Sequence, residues 1–70
     1  MSISEKIKLI MGRRGVTVTK LAEELNISRQ YLTKKFKNED FTYIELEVIA
    51  ELLQCDITVS FTDRASKERI

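Results

Sequence analysis

Histidine is absent from this 70-residue chain, and cysteine occurs once, at Cys55. One thiol and no imidazole exclude an internal disulfide, a zinc site and a histidine-based catalytic dyad. No nucleophile, base and metal set can be assembled from the remaining residues, so neither an enzyme nor a cofactor is expected. Long apolar runs are missing too. None approaches the roughly 18 residues that span a bilayer, and the N-terminus lacks the basic, apolar, small order of a signal peptide. A soluble cytoplasmic protein, without membrane or small-molecule substrate, is the expectation. Aromatic residues are 7% of the chain, few for the stacking platforms that read single-stranded RNA.

Hydrophobic residues at 43% and charged residues at 33% describe a chain that folds, without the low hydrophobicity of disorder. Seventy residues make one domain with a modest core, and part of its stability is expected from a partner subunit. The net charge of +1 hides an asymmetry. Residues 1–37 carry nine cations against Glu5, Glu23 and Glu24, a surplus of +6, whereas residues 38–70 carry Arg64, Lys67 and Arg69 against eight acids, giving −5. Such a dipolar chain can turn one face to a polyanion and the other away.

Ile3, Ile7, Ile10 and Met11 are spaced as one face of an amphipathic helix from about Ser4 to Arg14, with Ser2 or Ser4 as its N-cap. Gly15 is placed to end it in the left-handed conformation. Gly12, inside the helix at a cost of about 1 kcal/mol relative to alanine, is expected to mark close backbone packing. Thr17 can cap a second helix through Leu25 with Val18, Leu21, Ala22 and Leu25 inward, and Asn26 can serve as its left-handed exit. Ile27 then plugs the core and Ser28 caps a third helix, to Lys37. Thr42 with Glu45 spells a capping box and Phe41 with Leu46 a hydrophobic staple, so a fourth helix starts at 42 and runs to 53. It is apolar on two stripes, Leu46, Ile49, Ala50 and Leu53 beside Ile44, Val48 and Leu52, and the second needs a cover.

"DITVSFT" alternates Ile57, Val59 and Phe61 with polar residues, the period of a half-buried strand. A lone strand needs a partner. Pairing with the same segment of another copy gives a two-fold dimer whose interface is Ile44, Val48, Leu52, Ile57, Val59 and Phe61; pairing with a frayed N-terminus, residues 1–4, is the intramolecular alternative. The chain thus divides into a domain of residues 1–55, a strand at 56–63 and a polar, mobile tail at 64–70.

Only Leu32 and Phe36 are clearly inward on the third helix. Arg29, Gln30, Tyr31, Thr33, Lys34, Lys35 and Lys37 face out with no acid among them, where a solvated helix normally mixes both signs. Two short helices joined by a tight turn, the second basic, form a helix-turn-helix whose second helix enters the DNA major groove. Arg29 suits guanine O6 and N7, Gln30 adenine N6 and N7, and Lys34 a guanine or a phosphate. Lys35, Lys37 and Asn38 lie further along and suit the backbone. Thr17, Thr19 and Lys20, at the free amides of the second helix, form a phosphate site. Tyr31 suits a phosphate or a thymine methyl, or packing against the second helix.

The segment "VTKLAEELNISRQYLTKKF" resembles the helix-turn-helix of the phage-repressor-like, or lambda-repressor-like, transcriptional regulators, through Leu21-Ala22, Leu25, Asn26, Ile27, Ser28 and Leu32. The resemblance runs from about Ile7 to Leu53. It implies a mainly α four- to five-helix bundle, here with the added strand, acting as a dimeric repressor of phage or mobile-element type on a palindromic operator. It places base contacts on Ser28, Arg29, Gln30, Thr33 and Lys34. Three positions depart from the family pattern. Val18 stands where a phosphate-binding glutamine is common, Asn26 where the turn has glycine, and Gln54 where glycine often ends the last helix.

A second class of function fits part of the chain: an interaction module, such as an antitoxin or adaptor, holding another protein with helix 42–53 and strand 57–62. Simpler roles also stand beside the functional ones. Cys55 reads as a small hydrophobe, Arg13 and Arg14 as partners of the first helix's C-terminal dipole, and Glu45, Glu47 and Glu51 as a solvated face.

Overall fold

The computed structural model describes residues 1–70 and contains four helices: α1, Ile3–Arg14; α2, Val18–Leu25; α3, Arg29–Asn38; and α4, Tyr43–Leu52. Each begins on a hydroxyl that accepts a backbone N–H three residues on: Ser2, Thr17, Ser28 and Thr42. Such caps satisfy amides that a helix leaves orphaned at its start. The Thr42–Glu45 capping box forms as expected, with Glu45 N–H donating to Thr42 Oγ1 at 3.1 Å and Thr42 N–H to Glu45 Oε1 at 2.8 Å. Ser2 makes a second box with Glu5, so α1 starts ahead of the expected Ser4.

Left-handed residues end the first three helices: Gly15 at φ +66°, Asn26 at φ +62° and Glu39 at φ +53°. Gln54, where the family has glycine, also stands left-handed at φ +56°, and Cys55 N–H then donates to Ala50 O at 2.8 Å. The backbone closes the same way without glycine, at some steric cost.

Ile7, Met11, Leu21, Ala22, Leu32, Phe36, Ile49 and Leu53 form one buried cluster, with Val18, Leu25, Ile27, Phe41 and Leu46 packed against it. α2 lies against both α3 and α4. The expected inward positions are filled except at Ile3, which stays exposed. Gly12 is not a close-packing site: a Cβ placed there meets nothing within 4 Å.

Two polar side chains tie α1 to the rest. Ser4, freed from capping, is buried and its Oγ donates to Phe36 O at 2.7 Å, while its N–H donates to the Glu39 carboxylate at 3.1 Å. At the other end Arg14 Nε donates to Leu53 O at 2.9 Å. Arg14 therefore serves the C-terminus of α4 and not that of its own helix, the partner expected from the helix dipole. α1 is thus fastened to the ends of α3 and α4.

The C-terminal strand is not formed. Ile57 is half-buried, but Asp56–Ser60 has no ladder partner, because in the N-terminal segment that might have paired Ile3 and Ser4 are in α1 and Ser2 caps it. Instead residues 61–70 fold on themselves in a short hairpin around an antiparallel bridge between Thr62 and Arg69. Phe61 and Ile70 exchange both backbone hydrogen bonds, at 3.0 and 2.7 Å. Asp63 Oδ1 accepts from Ala65 N–H at 2.8 Å and Lys67, at φ +66°, completes the turn. Residues 64–70, expected to be a mobile tail, form the second arm of this hairpin, and the strand expected over 56–63 is reduced to the single bridge at Thr62. No helix is long and apolar enough to cross a membrane.

Candidate nucleic-acid interface

The turn between α2 and α3 is three residues long, Asn26–Ser28. Asn26 reverses the chain through the left-handed region, and Ile27 N–H closes onto Ala22 O at 3.0 Å. Ile27 packs into the core and Ser28 Oγ accepts Tyr31 N–H at 3.0 Å, opening α3 at once. The interruption of an otherwise good helix therefore redirects the chain so that α3 buries one narrow edge and presents the rest.

That edge is Leu32 and Phe36, both buried. Phe36 meets the Phe41 ring edge-on at 5.5 Å between centroids and carries Lys8 Nζ over its face at 5.1 Å. Opposite the buried edge, Arg29, Gln30, Thr33, Lys34 and Lys37 are all exposed and line one groove without an apolar residue. No acid intervenes on this surface, and none of its cations has an ion-pair partner within the chain. Bringing three such charges together costs self-repulsion that an anionic partner would relieve.

Two of the other sequence-predicted positions, Lys35 and Lys20, are engaged within the chain. The Lys35 side chain is only 11% exposed. Its Nζ donates to Asp40 O at 3.0 Å and pairs with Glu45 at 2.9 Å, close to the rings of Tyr31 and Phe41. The hydrogen bond to Glu45 raises the Lys35 pKa above its ordinary 10.5, while the Thr42 backbone amide, followed by Lys35, lowers that of Glu45 below 4.5. Lys35 is thus turned from the open face towards α4 and does not belong to the outward set. Lys20 remains exposed but pairs with Glu24 at 3.1 Å. Val18 packs half-buried against the core, as expected, so this position offers no side chain to a phosphate. Thr17, Thr19, Tyr31 and Asn38 are exposed.

A family model described as the Cro/C1-type HTH DNA-binding domain matches residues 6–58. The chain belongs to the Cro/C1-type helix-turn-helix DNA-binding family. Neither a curated protein nor a solved structure matches it. In this Cro/C1-type domain the matched residues hold most of α1, the whole of α2 to α4, and the first extended residues beyond. The hairpin lies outside them. Its family makes the protein a DNA-binding regulator.

Sequence reasoning missed the supports of the interface. Glu39, just past α3, has its pKa lowered by hydrogen bonds from Ser2 and from the Ser4 amide. It and Ser4 hold the C-terminal end of α3 to the start of α1, and Lys35–Glu45 holds the same end to α4. The nearest sequence signal was Asp40 and Glu45 ten residues or fewer beyond a basic helix, which specifies no partner by itself.

Proposed function

We propose that this Cro/C1-type protein is a dimeric, sequence-specific transcriptional repressor of phage or mobile-element type, acting in the cytoplasm on a palindromic operator. α3 enters the major groove with Ser28, Arg29, Gln30, Thr33 and Lys34 at base edges. Thr17, Thr19, Lys20, Tyr31, Lys37 and Asn38 hold the flanking backbone. The observation that supports this reading is the acid-free, partnerless face from Arg29 to Lys37, set against the two buried anchors Leu32 and Phe36. Affinity then comes largely from phosphate contacts and specificity from the first turns of α3. Two copies are supported by the exposed stripe on α4, where Ile44, Val48 and Leu52 are 71%, 46% and 36% exposed.

Selection of duplexes from a random pool at near-physiological salt tests the assignment. The expected product is a palindrome whose half-sites lie about 34 Å apart. Arg29→Ala or Gln30→Ala should then cost about 1–3 kcal/mol at the matching base pair and relax preference there. Unchanged preference in both variants would overturn the placement of α3. The stripe on α4 also favours a second reading, an antitoxin or adaptor that holds another protein. A chain that stays monomeric and enriches no duplex would select it.

A further inference from the structure

Between α1 and α4 the bundle leaves an apolar groove of about 370 Å³ that the chain does not fill. Ile7 and Ile10 of α1, Leu46, Ile49 and Leu53 of α4, and Ile57 of the extended segment after α4 line it. Ile7, Ile49 and Leu53 are buried, but Ile10, Leu46 and Ile57 are only half-buried. Ile3 and Val59, which also line the groove, are 41% and 58% exposed. The C-terminal hairpin is paired with itself and contributes no residue to it. Ile44, Val48 and Leu52 do not line it either, so it is separate from the stripe assigned to the second copy. An apolar guest would take this surface out of water.

We propose that this groove binds a free α-amino acid with a large apolar side chain, which lies along the groove while the carboxylate meets Lys6 and the ammonium meets Asp56. Charge complementarity selects this class of guest. Lys6 and Asp56 line the same groove with opposite charges, yet neither has an ion-pair partner and they do not pair with each other. An apolar carboxylate would satisfy Lys6 and set a like charge beside Asp56, and an apolar amine would do the reverse. A neutral hydrocarbon leaves both without a partner. A molecule with both charges at one end and an apolar body at the other satisfies all three parts of the lining. The volume lies at the small end of the range of ligand sites, about 300–1,000 Å³, and suits one small molecule. Ile3 of the lining adjoins Ser4, which holds Phe36 and Glu39 at the end of α3. The guest therefore braces the frame behind α3 without touching its outward face, and stabilises the folded chain by mass action.

Titration of the isotope-labelled full-length protein with L-phenylalanine, followed through its amide chemical shifts, tests the site. Saturable shifts are expected at Lys6–Ile10, Leu46–Leu53 and Cys55–Val59, with little change at Arg29–Lys37. Hydrocinnamate, which lacks the ammonium, and phenethylamine, which lacks the carboxylate, should each bind about two- to fivefold more weakly, the range of an exposed ion pair. Asp56→Asn should abolish the preference for L-phenylalanine over hydrocinnamate and keep that over phenethylamine, and Lys6→Gln should do the opposite. Both positions are exposed, and circular dichroism checks that each variant stays helical. The absence of saturable shifts, or shifts that fall outside the groove or follow protein concentration instead of ligand, overturns the site. Equal binding of the three compounds by the parent, or preferences that both variants leave intact, overturns the assignment of an amino acid. The reading of α3 as the DNA-facing helix stands in each case, because it rests on other residues.

Discussion

Lys35 and Lys37 are two residues apart on a basic helix, yet the fold gives them opposite duties, and the salt dependence of DNA binding should separate them. Lys37 is exposed beside Arg29 and Lys34 in the polar groove, whereas Lys35 is held by Glu45 at 2.9 Å and by the Asp40 carbonyl. Lys20 reaches the backbone only by exchanging its exposed pair with Glu24 for a phosphate, so it adds little to the slope. Arg29, Lys34 and Lys37 are then the unpaired cations each copy brings into the phosphate field, Lys37 at the backbone and the other two at base edges, about six for a dimer. Each displaced counterion contributes about 0.9 to the slope of log affinity against log salt, so the parent slope should be about −5.4. Raising salt from about 50 to about 200 mM weakens such a complex about 2,000-fold. Lys37→Ala removes one cation per copy, brings the slope to about −3.6 and cuts the same loss to about 150-fold. Lys35→Ala deletes the same formal charge and should leave the slope within about 0.5 of the parent's, because that charge is already paired. It should instead lower the melting temperature. Fluorescence anisotropy of a labelled operator duplex across this salt range measures both slopes. Equal slope changes in the two variants would refute the inward role of Lys35. No change in Lys37→Ala would refute the orientation of α3.

Gly12→Ala should stabilise the protein by about 1 kcal/mol, since an added Cβ meets open space. Thermal melting should rise about 4–8 °C; a fall would place an unseen neighbour at Gly12. Leu32→Ala, at a fully buried position, should cost about 2–5 kcal/mol, much of the roughly 3.5–10 kcal/mol that 70 residues retain. Calorimetry should show loss of a cooperative transition or a fall of more than about 10 °C. Acid melting reports the ties that fasten α1 and α4. The folded pKa values of Glu39 and Glu45 lie below 4.5, so their stabilisation is full above that value and lost as pH falls through the lower folded ones. That of Lys35 lies above 10.5, so its share is full below 10.5 and lost as pH rises through the higher value. Glu39→Gln should therefore shrink the drop in melting temperature between about pH 6 and about pH 3 while leaving the alkaline limb unchanged. An unaltered acid limb would show that the Glu39–Ser4 tie adds nothing.

Much of the helical frame, and the outward face of α3, follows from interactions only a few residues long. A hydroxyl caps an amide three positions on, a left-handed exit needs one permissive residue, and two apolar side chains four apart choose which way a helix faces. Ser28, Thr42 with Glu45, Gly15, Asn26, and Leu32 with Phe36 could therefore be read directly from their spacing, as could the absence of acid from Ser28 to Lys37. Gln54 shows the limit of that reading: the backbone turns left-handed there whether or not glycine is present, because the carbonyls at the end of α4 still need partners. The alternation at Ile57–Phe61 misled, because alternation specifies a face and not a partner: Ile57–Ser60 find none and form no strand, and the chain's own last residues pair only with Phe61 and Thr62.

What the tertiary structure decided is which side chains remain available. Ser4 reaches Phe36, Glu39 reaches Ser4, Arg14 reaches Leu53 and Lys35 reaches Glu45, across sequence separations of 32, 35, 39 and 10 residues. No periodicity encodes such meetings, because each depends on how the helices pack once their apolar edges are buried. The sequence by itself determined the helices and the sign of charge on α3. Packing determined that Lys35 belongs to the scaffold while Lys34 and Lys37 stay free, since a cation within about 3 Å of a carboxylate is already neutralised before any DNA arrives.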